Sequence, residues 1–306
     1  MERGGRPVRR LGAAVIASAA ALAVMLPAGA AQAATGPSGV AAKGAYLLDS
    51  GTNKALWGKA AGTKRQMAST TKVMTAVVVL DTRGVDLNKK VTVKQAYRDY
   101  VTREGASTAD LRKGDKLTVR QLLYGLMLPS GCDAAYALAD TLGHGSTMKI
   151  RVKSFITQMN KKASSLGLTK TKYDSFDGIS GGGNNYTTPR DMAKLARHAI
   201  GNGTFGKVVK ATSTKQKATT GRTYTWYNTN KLLGSYNGAL GIKTGTGTAA
   251  GPCLVFAAKR GGRTVVGVIL NDSAKRYPDA KKMLDWAFNT RTSVSWRSLP
   301  QGAQQD

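Results

Sequence analysis

Ser69-Thr70-Thr71-Lys72, followed by the apolar run Val73-Met74-Thr75-Ala76-Val77-Val78-Val79-Leu80, is the stretch on which the reading of this chain turns. If the run is a helix, residues three apart share a face, so the Lys72 amine reaches the Ser69 oxygen. A serine hydroxyl is a poor nucleophile at neutral pH, and an adjacent amine that takes its proton activates it. A helix over about 70–80 also sets Ser69 near an N-terminus, where unpaired amides and the helix dipole favour developing negative charge. Spacing alone does not decide the matter, because Ser146-Thr147-Met148-Lys149 repeats it.

The flanking sequence supplies the fold. Upstream, 44–49 reads as a strand, Ser50-Gly51-Thr52-Asn53 as a turn and 54–59 as the returning strand. Downstream, from about 81 to 206, the apolar spacing is mostly helical. Helices are predicted over 118–128 and 133–142, joined by Pro129-Ser130-Gly131-Cys132, and over 153–166. A Gly-rich loop over 177–185 then leads to Thr187-Thr188-Pro189-Arg190-Asp191, a helix start with Pro in its first turn. After Gly206 the period becomes that of strands, at 223–229, 240–246, 253–258 and 263–270, and 278–288 closes as a helix. Strands at both ends of a helical middle predict an α/β (α+β) fold in one domain over 34–306. Its α/β part would cover about 41–80 and 207–290, and its helical part about 81–206.

Residues 1–33 stand apart. Arg3, Arg6, Arg9 and Arg10 precede an apolar segment over 11–26, and Ala31-Gln32-Ala33 makes a small-x-small cleavage site, the pattern of a secretory signal peptide. An uncleaved membrane anchor is the alternative, and Arg9-Arg10 leaves twin-arginine export open. No other segment is long and apolar enough to span a membrane. The expectation is therefore an extracytoplasmic protein, secreted or held at the cell wall or membrane surface after cleavage near Ala33. The 306 residues carry a formal charge of +29, and loss of the leader's four Arg and one Glu leaves +26. Such a field draws in polyanions, which for an exported protein means the acidic polymers of a cell envelope. The cations are scattered along the chain rather than gathered in one basic helix, so no nucleic-acid module is indicated. Cys132 and Cys253 are too few for a disulfide scaffold, and whether they bridge is left open. His144 and His198 have no plausible ligand set, and no metal or other cofactor is expected.

Two further triplets carry chemistry. Lys243-Thr244-Gly245-Thr246 lies on the strand predicted over 240–246 and offers a cation for a substrate carboxylate, hydroxyls to orient it, and a glycine that lets the strand approach another backbone. Ser130-Gly131-Cys132 lies in the turn between two helices. SxxK, then an SxN-like triplet, then KTG, in that order, resembles the signature of the penicillin-recognising serine hydrolases. The chain over about 41–288 is similar to the low-molecular-weight D-alanyl-D-alanine carboxypeptidases of the peptidase S11 family, with their β-lactamase/transpeptidase-like fold of an antiparallel sheet flanked by helices and an α-helical insertion. The likeness extends to Tyr186-Thr187-Thr188-Pro189-Arg190-Asp191-Met192-Ala193, Asn228-Thr229-Asn230-Lys231-Leu232-Leu233 and Ala249-Ala250-Gly251.

That resemblance implies Ser69 as the acylated nucleophile, Lys72 as its proton acceptor and Ser130 as the group that passes a proton to the leaving D-alanine nitrogen. It implies Lys243, with Thr244, Gly245 and Thr246, as the binding edge for the terminal carboxylate, and the backbone amides of Ser69 and Thr246 as an oxyanion hole. Arg276 resembles an arginine that contacts the same carboxylate in some members, an ion pair with Asp279 being the alternative. Most of the family has Asn where this chain has Cys132, and Cys neither donates nor accepts as an amide does. Slow deacylation, or partition toward transpeptidation, is expected, together with a Cys132 thiol open to reagents. The implied substrate is the D-Ala-D-Ala terminus of a peptidoglycan stem peptide, with β-lactams as a second ligand class. DD-transpeptidase or endopeptidase action is the alternative activity. A serine β-lactamase, or a weakly catalytic envelope-binding module, is the more distant one. Many members continue into a β-rich domain and an amphipathic anchor helix, for which this sequence shows no counterpart, so envelope retention would rest on charge or on the leader.

Overall fold

Lys72 through Val79, eight of the ten residues in the helix α1 (Lys72–Asp81), are buried. A helix that is apolar on all sides is stable only when neighbours cover it. Six further helices follow in the middle of the chain: α2 (Gln95–Glu104), α3 (Val119–Met127), α4 (Cys132–Leu142), α5 (Met148–Ser165), α6 (Pro189–Ile200) and α7 (Gly203–Lys210). Five of them, α3 to α7, pack against α1. The structure, a computed structural model, describes residues 1, 2, 4, 5, 36–273 and 275–305. The chain divides into two units, residues 1–35 and 36–306, and the described helices and strands all belong to the second. The apolar segment and cleavage site of the expected leader lie outside the described residues. Among the described residues no helix is long and apolar enough to cross a membrane.

The strands of the main sheet come from both ends of the chain. They are β1 (Gly44–Asp49), β2 (Ala55–Lys59), β9 (Ala239–Gly245), β10 (Cys253–Arg260) and β11 (Arg263–Leu270), in the order β2-β1-β11-β10-β9 and antiparallel throughout. Three two-stranded ladders complete the strand set. They pair β3 (Arg65–Gln66) with β6 (Tyr186–Thr187), β4 (Lys90–Thr92) with β5 (Lys116–Thr118), and β7 (Ser213–Lys217) with β8 (Thr223–Tyr227).

Alternation along the strands splits the sheet's side chains between two cores. Tyr46 and Leu48, Val255 and Ala257, and Val266, Val268 and Leu270 join α1 and its neighbours. Ala45 and Leu47, Leu254, Phe256 and Ala258, and Val265 and Ile269 face the opposite way. That second face is covered by α8 (Arg276–Phe288), whose Ala280, Met283, Leu284 and Ala287 recur at the three-and-four spacing of one helix stripe. The sheet is thus a middle layer with helices on both faces.

The expected strands at 44–49 and 263–270 lie where the periodicity puts them, and α6 begins as its sequence suggests. Thr188 caps it by accepting a hydrogen bond from the Asp191 amide, with Pro189 in the first turn. The helical middle proves more mixed than periodicity indicated. Helix α2 has a single buried residue, Tyr97, and therefore almost no apolar pattern to read. Strands β3 and β6 have two residues each, too few for any alternation. Cys132 and Cys253 are both buried and no disulfide joins them, so the bridge left open by the sequence is not formed. The described residues after α8 form no helix or strand and are held by Trp296 against Tyr277 and by Arg297, which donates to the carbonyls of Asn228 and Leu233.

Candidate active site

A 3-10 turn over Ala68–Thr71 runs straight into α1 and carries Ser69 half-buried at its head. One turn on, Lys72 is fully buried, and its Nζ donates to Ser69 Oγ at 2.9 Å and to the Asp177 carbonyl at 2.9 Å. The other SxxK, Ser146 and Lys149, is exposed at the head of α5. Burial in company is what separates the two matches.

The carbonyl that receives Lys72 comes from the Gly-rich loop, 105 residues away in sequence. The Asp177 carboxylate is itself buried, and its Oδ2 accepts a hydrogen bond from Tyr100 Oη at 2.8 Å. Burial, reinforced by that carboxylate, pushes the Tyr100 hydroxyl above its ordinary range, so it serves as a donor. Thr75 Oγ1 donates to the Phe176 carbonyl, and Asn185 Nδ2 donates to Thr71 Oγ1 at 2.6 Å. Gly178 follows Asp177 at φ +106°, and a Cβ there would stand 2.0 Å from the Ala68 carbonyl oxygen. The loop therefore lies directly against the serine turn.

Ser130 sits between α3 and α4 at φ +65°, a conformation L-residues seldom adopt outside constrained sites. Its carbonyl accepts from Ser107 Oγ at 2.7 Å. Its own Oγ is buried with no hydrogen-bond partner among the described residues, a feature that calls for a ligand or a role. Cys132 opens α4, 1% exposed, with Sγ 3.7 Å from Ser107 Oγ. Burial pushes the thiol up to about 11, against the opposing pull of the nearby Lys72 cation. The expected reactive thiol is thus not what the fold provides, because desolvation outweighs the cation.

The third triplet ends β9. Lys243 is 1% exposed and donates to the Thr244 carbonyl at 3.1 Å, while Thr244 Oγ1 meets Thr229 Oγ1 at 2.6 Å. Gly245 pairs with Cys253 of β10, and a Cβ at Gly245 would stand 2.9 Å from the Thr70 nitrogen and 3.0 Å from the Ser69 nitrogen. Only a residue without a side chain lets the strand run this close to the serine turn. Arg276, at the start of α8, donates to the Gly245 carbonyl at 3.2 Å, to Thr246 Oγ1 at 2.9 Å and to the Cys253 carbonyl at 3.3 Å. It thereby braces the end of β9. The Asp279 carboxylate accepts from the Ala42 amide and from Lys282.

These parts meet at a cleft of about 760 Å³. Ser69, Ser130, Cys132 and Thr246 line it directly, whereas the buried Lys72, Lys243 and Thr244, with Gly245, lie behind the lining. Other walls were not among the expected site residues: Glu104 to Ser107 at the end of α2, Gly178 to Ser180 in the Gly-rich loop, and Gln304 and Gln305 near the end of the chain. The glycine cluster was a cue to the second of these, but nothing local marks the first or the third. Among the described residues no group of three or more His, Cys, Asp or Glu is placed to hold a metal ion.

The family model for D-alanyl-D-alanine carboxypeptidase, peptidase S11, matches residues 30–274. The chain belongs to the peptidase S11 family. The chain is 53% identical over 289 residues to a D-alanyl-D-alanine carboxypeptidase of Streptomyces sp. strain K15, with 92% of this chain and 99% of that protein covered. The crystal structure of the Streptomyces K15 DD-transpeptidase superposes with a TM-score of 0.81 at 53% identity, over 83% of this chain and 99% of that one. A D-alanyl-D-alanine carboxypeptidase structure from Mycobacterium tuberculosis H37Rv gives a TM-score of 0.74 at 31% identity, over 87% and 100%. The fold is therefore the S11 DD-peptidase fold, as the motif order implied, and the serine-type carboxypeptidase expectation is met at the level of the family.

Proposed function

We propose that this protein is an exported serine D-alanyl-D-alanine carboxypeptidase that works through an acyl-enzyme on Ser69 and is acylated at the same residue by β-lactams. The single observation that carries this reading is Lys72 Nζ at 2.9 Å from Ser69 Oγ, at the head of a cleft that also holds the unpartnered Ser130 hydroxyl.

Ser69 Oγ attacks the carbonyl of the penultimate D-alanine as Lys72 takes the hydroxyl proton. The oxyanion forms beside the amides of Ser69 and Thr246, a reading supported by the close approach of Gly245 to the Ser69 nitrogen. As the C–N bond breaks, Ser130 Oγ gives a proton to the departing D-alanine nitrogen and recovers one from Lys72. Lys243 and the Thr244 and Thr246 hydroxyls form the edge that attracts the terminal carboxylate of the substrate. Water then releases the shortened stem peptide and regenerates Ser69. A β-lactam follows the first half of this route, with its amide nitrogen as the leaving group. The leader over 1–33 would carry the chain out of the cytoplasm, and the net positive charge would hold it near anionic envelope polymers.

Transfer to an amine in place of water is the second reading, and Cys132 favours it. A buried, protonated thiol is a weak hydrogen-bond donor and acceptor, and it orders a deacylating water less well than an amide would. The Streptomyces K15 relative carries both the carboxypeptidase and the DD-transpeptidase descriptions. Fluorescent penicillin is expected to label Ser69 of the intact protein and to leave Ser69→Ala unlabelled. Release of D-alanine from diacetyl-Lys-D-Ala-D-Ala, with and without an added acceptor amine, measures hydrolysis against transfer. Labelling that survives Ser69→Ala would refute the assignment.

A further inference from the structure

Among the described residues that line the cleft, Glu104 is the one that carries a full charge, and that charge is negative in a protein of formal charge +29. A lone carboxylate is out of place beside a site that receives a peptide carboxylate, unless it has a cation to meet. Its setting on the chain is also unfavourable. Glu104 is the last residue of α2, where it faces the negative end of the helix dipole, so helix stability does not explain it. Arg103 Nε donates to Glu104 Oε1 at 2.9 Å, but the Arg103 side chain is 63% exposed and lies outside the cleft lining. An ion pair between neighbours at the surface is weak and exchanges readily.

The link to the chemistry is short. Gly105 ends α2 in the left-handed region, and two residues later Ser107 donates to the Ser130 carbonyl and touches Cys132 Sγ. Glu104 is therefore tethered to the wall that presents Ser130, on the same cleft as Ser69.

We propose that Glu104 is a specificity residue whose carboxylate binds a side-chain ammonium group of the peptide that enters the cleft. This rests on the reading of the cleft as a DD-peptidase site and names one feature of its substrate. The group has two sources, the acyl donor or, in transfer, the acceptor. In either case it is distinct from the amine that attacks, so it keeps its proton and takes part in no bond change.

Two pairs of peptides separate the sources. The donors are Nα-acetyl-Lys-D-Ala-D-Ala and its Nα,Nε-diacetyl form, compared by kcat/KM for D-alanine release. The acceptors are Gly-Lys and Gly-Nε-acetyl-Lys, compared by the yield of transfer product joined through the glycine nitrogen. The wild-type protein is expected to favour the free ammonium about five- to tenfold in one pair, mainly through KM. Salt at 0.5 M should weaken that preference. Each preference is a ratio within one variant, so a general loss of activity divides out. Glu104→Gln is expected to bring the ratio to about one, Glu104→Lys to invert it, and Glu104→Asp to retain part of it. A wild type without preference in either pair, or a Glu104→Gln protein that keeps it, overturns the inference while ordinary penicillin labelling leaves the DD-peptidase reading standing. No labelling and no D-alanine release would overturn both.

Discussion

Replacing Gly245 by Ala tests whether the catalytic geometry depends on one missing side chain. The added Cβ would stand 2.9 Å from the Thr70 nitrogen, 3.0 Å from the Ser69 nitrogen and 3.3 Å from the Met67 carbonyl oxygen. All three are backbone atoms of the serine turn and its approach, so no side chain can swing aside. Restoring ordinary contact at about 3.4–3.5 Å requires the end of β9 and the turn to separate by roughly 0.5 Å. Arg276 holds the Gly245 carbonyl and Thr246, and β10 pairs with the same residue, so the strand is not free to yield. Overpacking of this kind costs about 1–3 kcal/mol. In a domain of this size that corresponds to a fall in Tm of roughly 2–10 °C. The functional loss should be larger, because a misplaced oxyanion donor costs up to about 100-fold even when it is still present. The assay is stopped-flow acylation by a chromogenic β-lactam beside a thermal melt, with Gly247→Ala as the companion. There a Cβ would meet only Ala68 Cβ at 3.6 Å and Ala250 Cβ at 3.8 Å, ordinary contacts. Gly245→Ala is expected to acylate about 10–100 times more slowly, and Gly247→Ala to stay within a fewfold of wild type. Wild-type acylation by a folded Gly245→Ala protein would refute the steric argument.

Cys132, with its thiol pushed up to about 11 and 1% exposure, should resist alkylation in the native protein. At pH 8 about one thiol in a thousand is ionised, so iodoacetamide labelling followed by mass spectrometry should be at least 100-fold slower than in denaturant and should accelerate toward pH 11. Labelling at the rate of an unhindered thiol would contradict the burial argument. Asp49 is held down to about 2, chiefly by the Arg263 guanidinium at 2.6 Å and by the Thr52 amide. A carboxylate lowered in the folded state contributes stability above the unfolded value near 4 and loses it as pH falls toward 2. Asp49→Asn is therefore expected to cost about 1 kcal/mol at pH 7 and only a fraction of that at pH 2, where about half of the folded-state carboxylates are still ionised, read as a Tm difference that narrows from pH 4 downward. A difference that stays constant over that range would be the contrary result.

Much of the site was legible locally. Ser69 and Lys72 meet because residues three apart share a helix face, a distance set by backbone geometry whatever surrounds it. The alternation of β1, β10 and β11 likewise follows from a period of two, which any buried strand must obey. Less was readable where pattern gives way to packing. Helix α2 buries only Tyr97, so its apolar spacing is silent, yet its end supplies Glu104 and the Ser107 segment to the cleft.

The sequence by itself determined that a serine and an amine stand side by side at a helix start, that strands flank a helical middle, and that three motifs occur in the order of the S11 peptidases. Tertiary structure alone decided the rest. It buried Lys72 beside Ser69, gave Lys72 a second acceptor 105 residues away, and left the Ser130 hydroxyl without a partner among the described residues. It turned Arg276 toward the end of β9, and it buried Cys132 in the cleft wall. The division has one physical cause. Local spacing is dictated by the bond geometry of a few residues, whereas long-range neighbours, burial and the fields they create exist only once sheet, helices and loops have packed together.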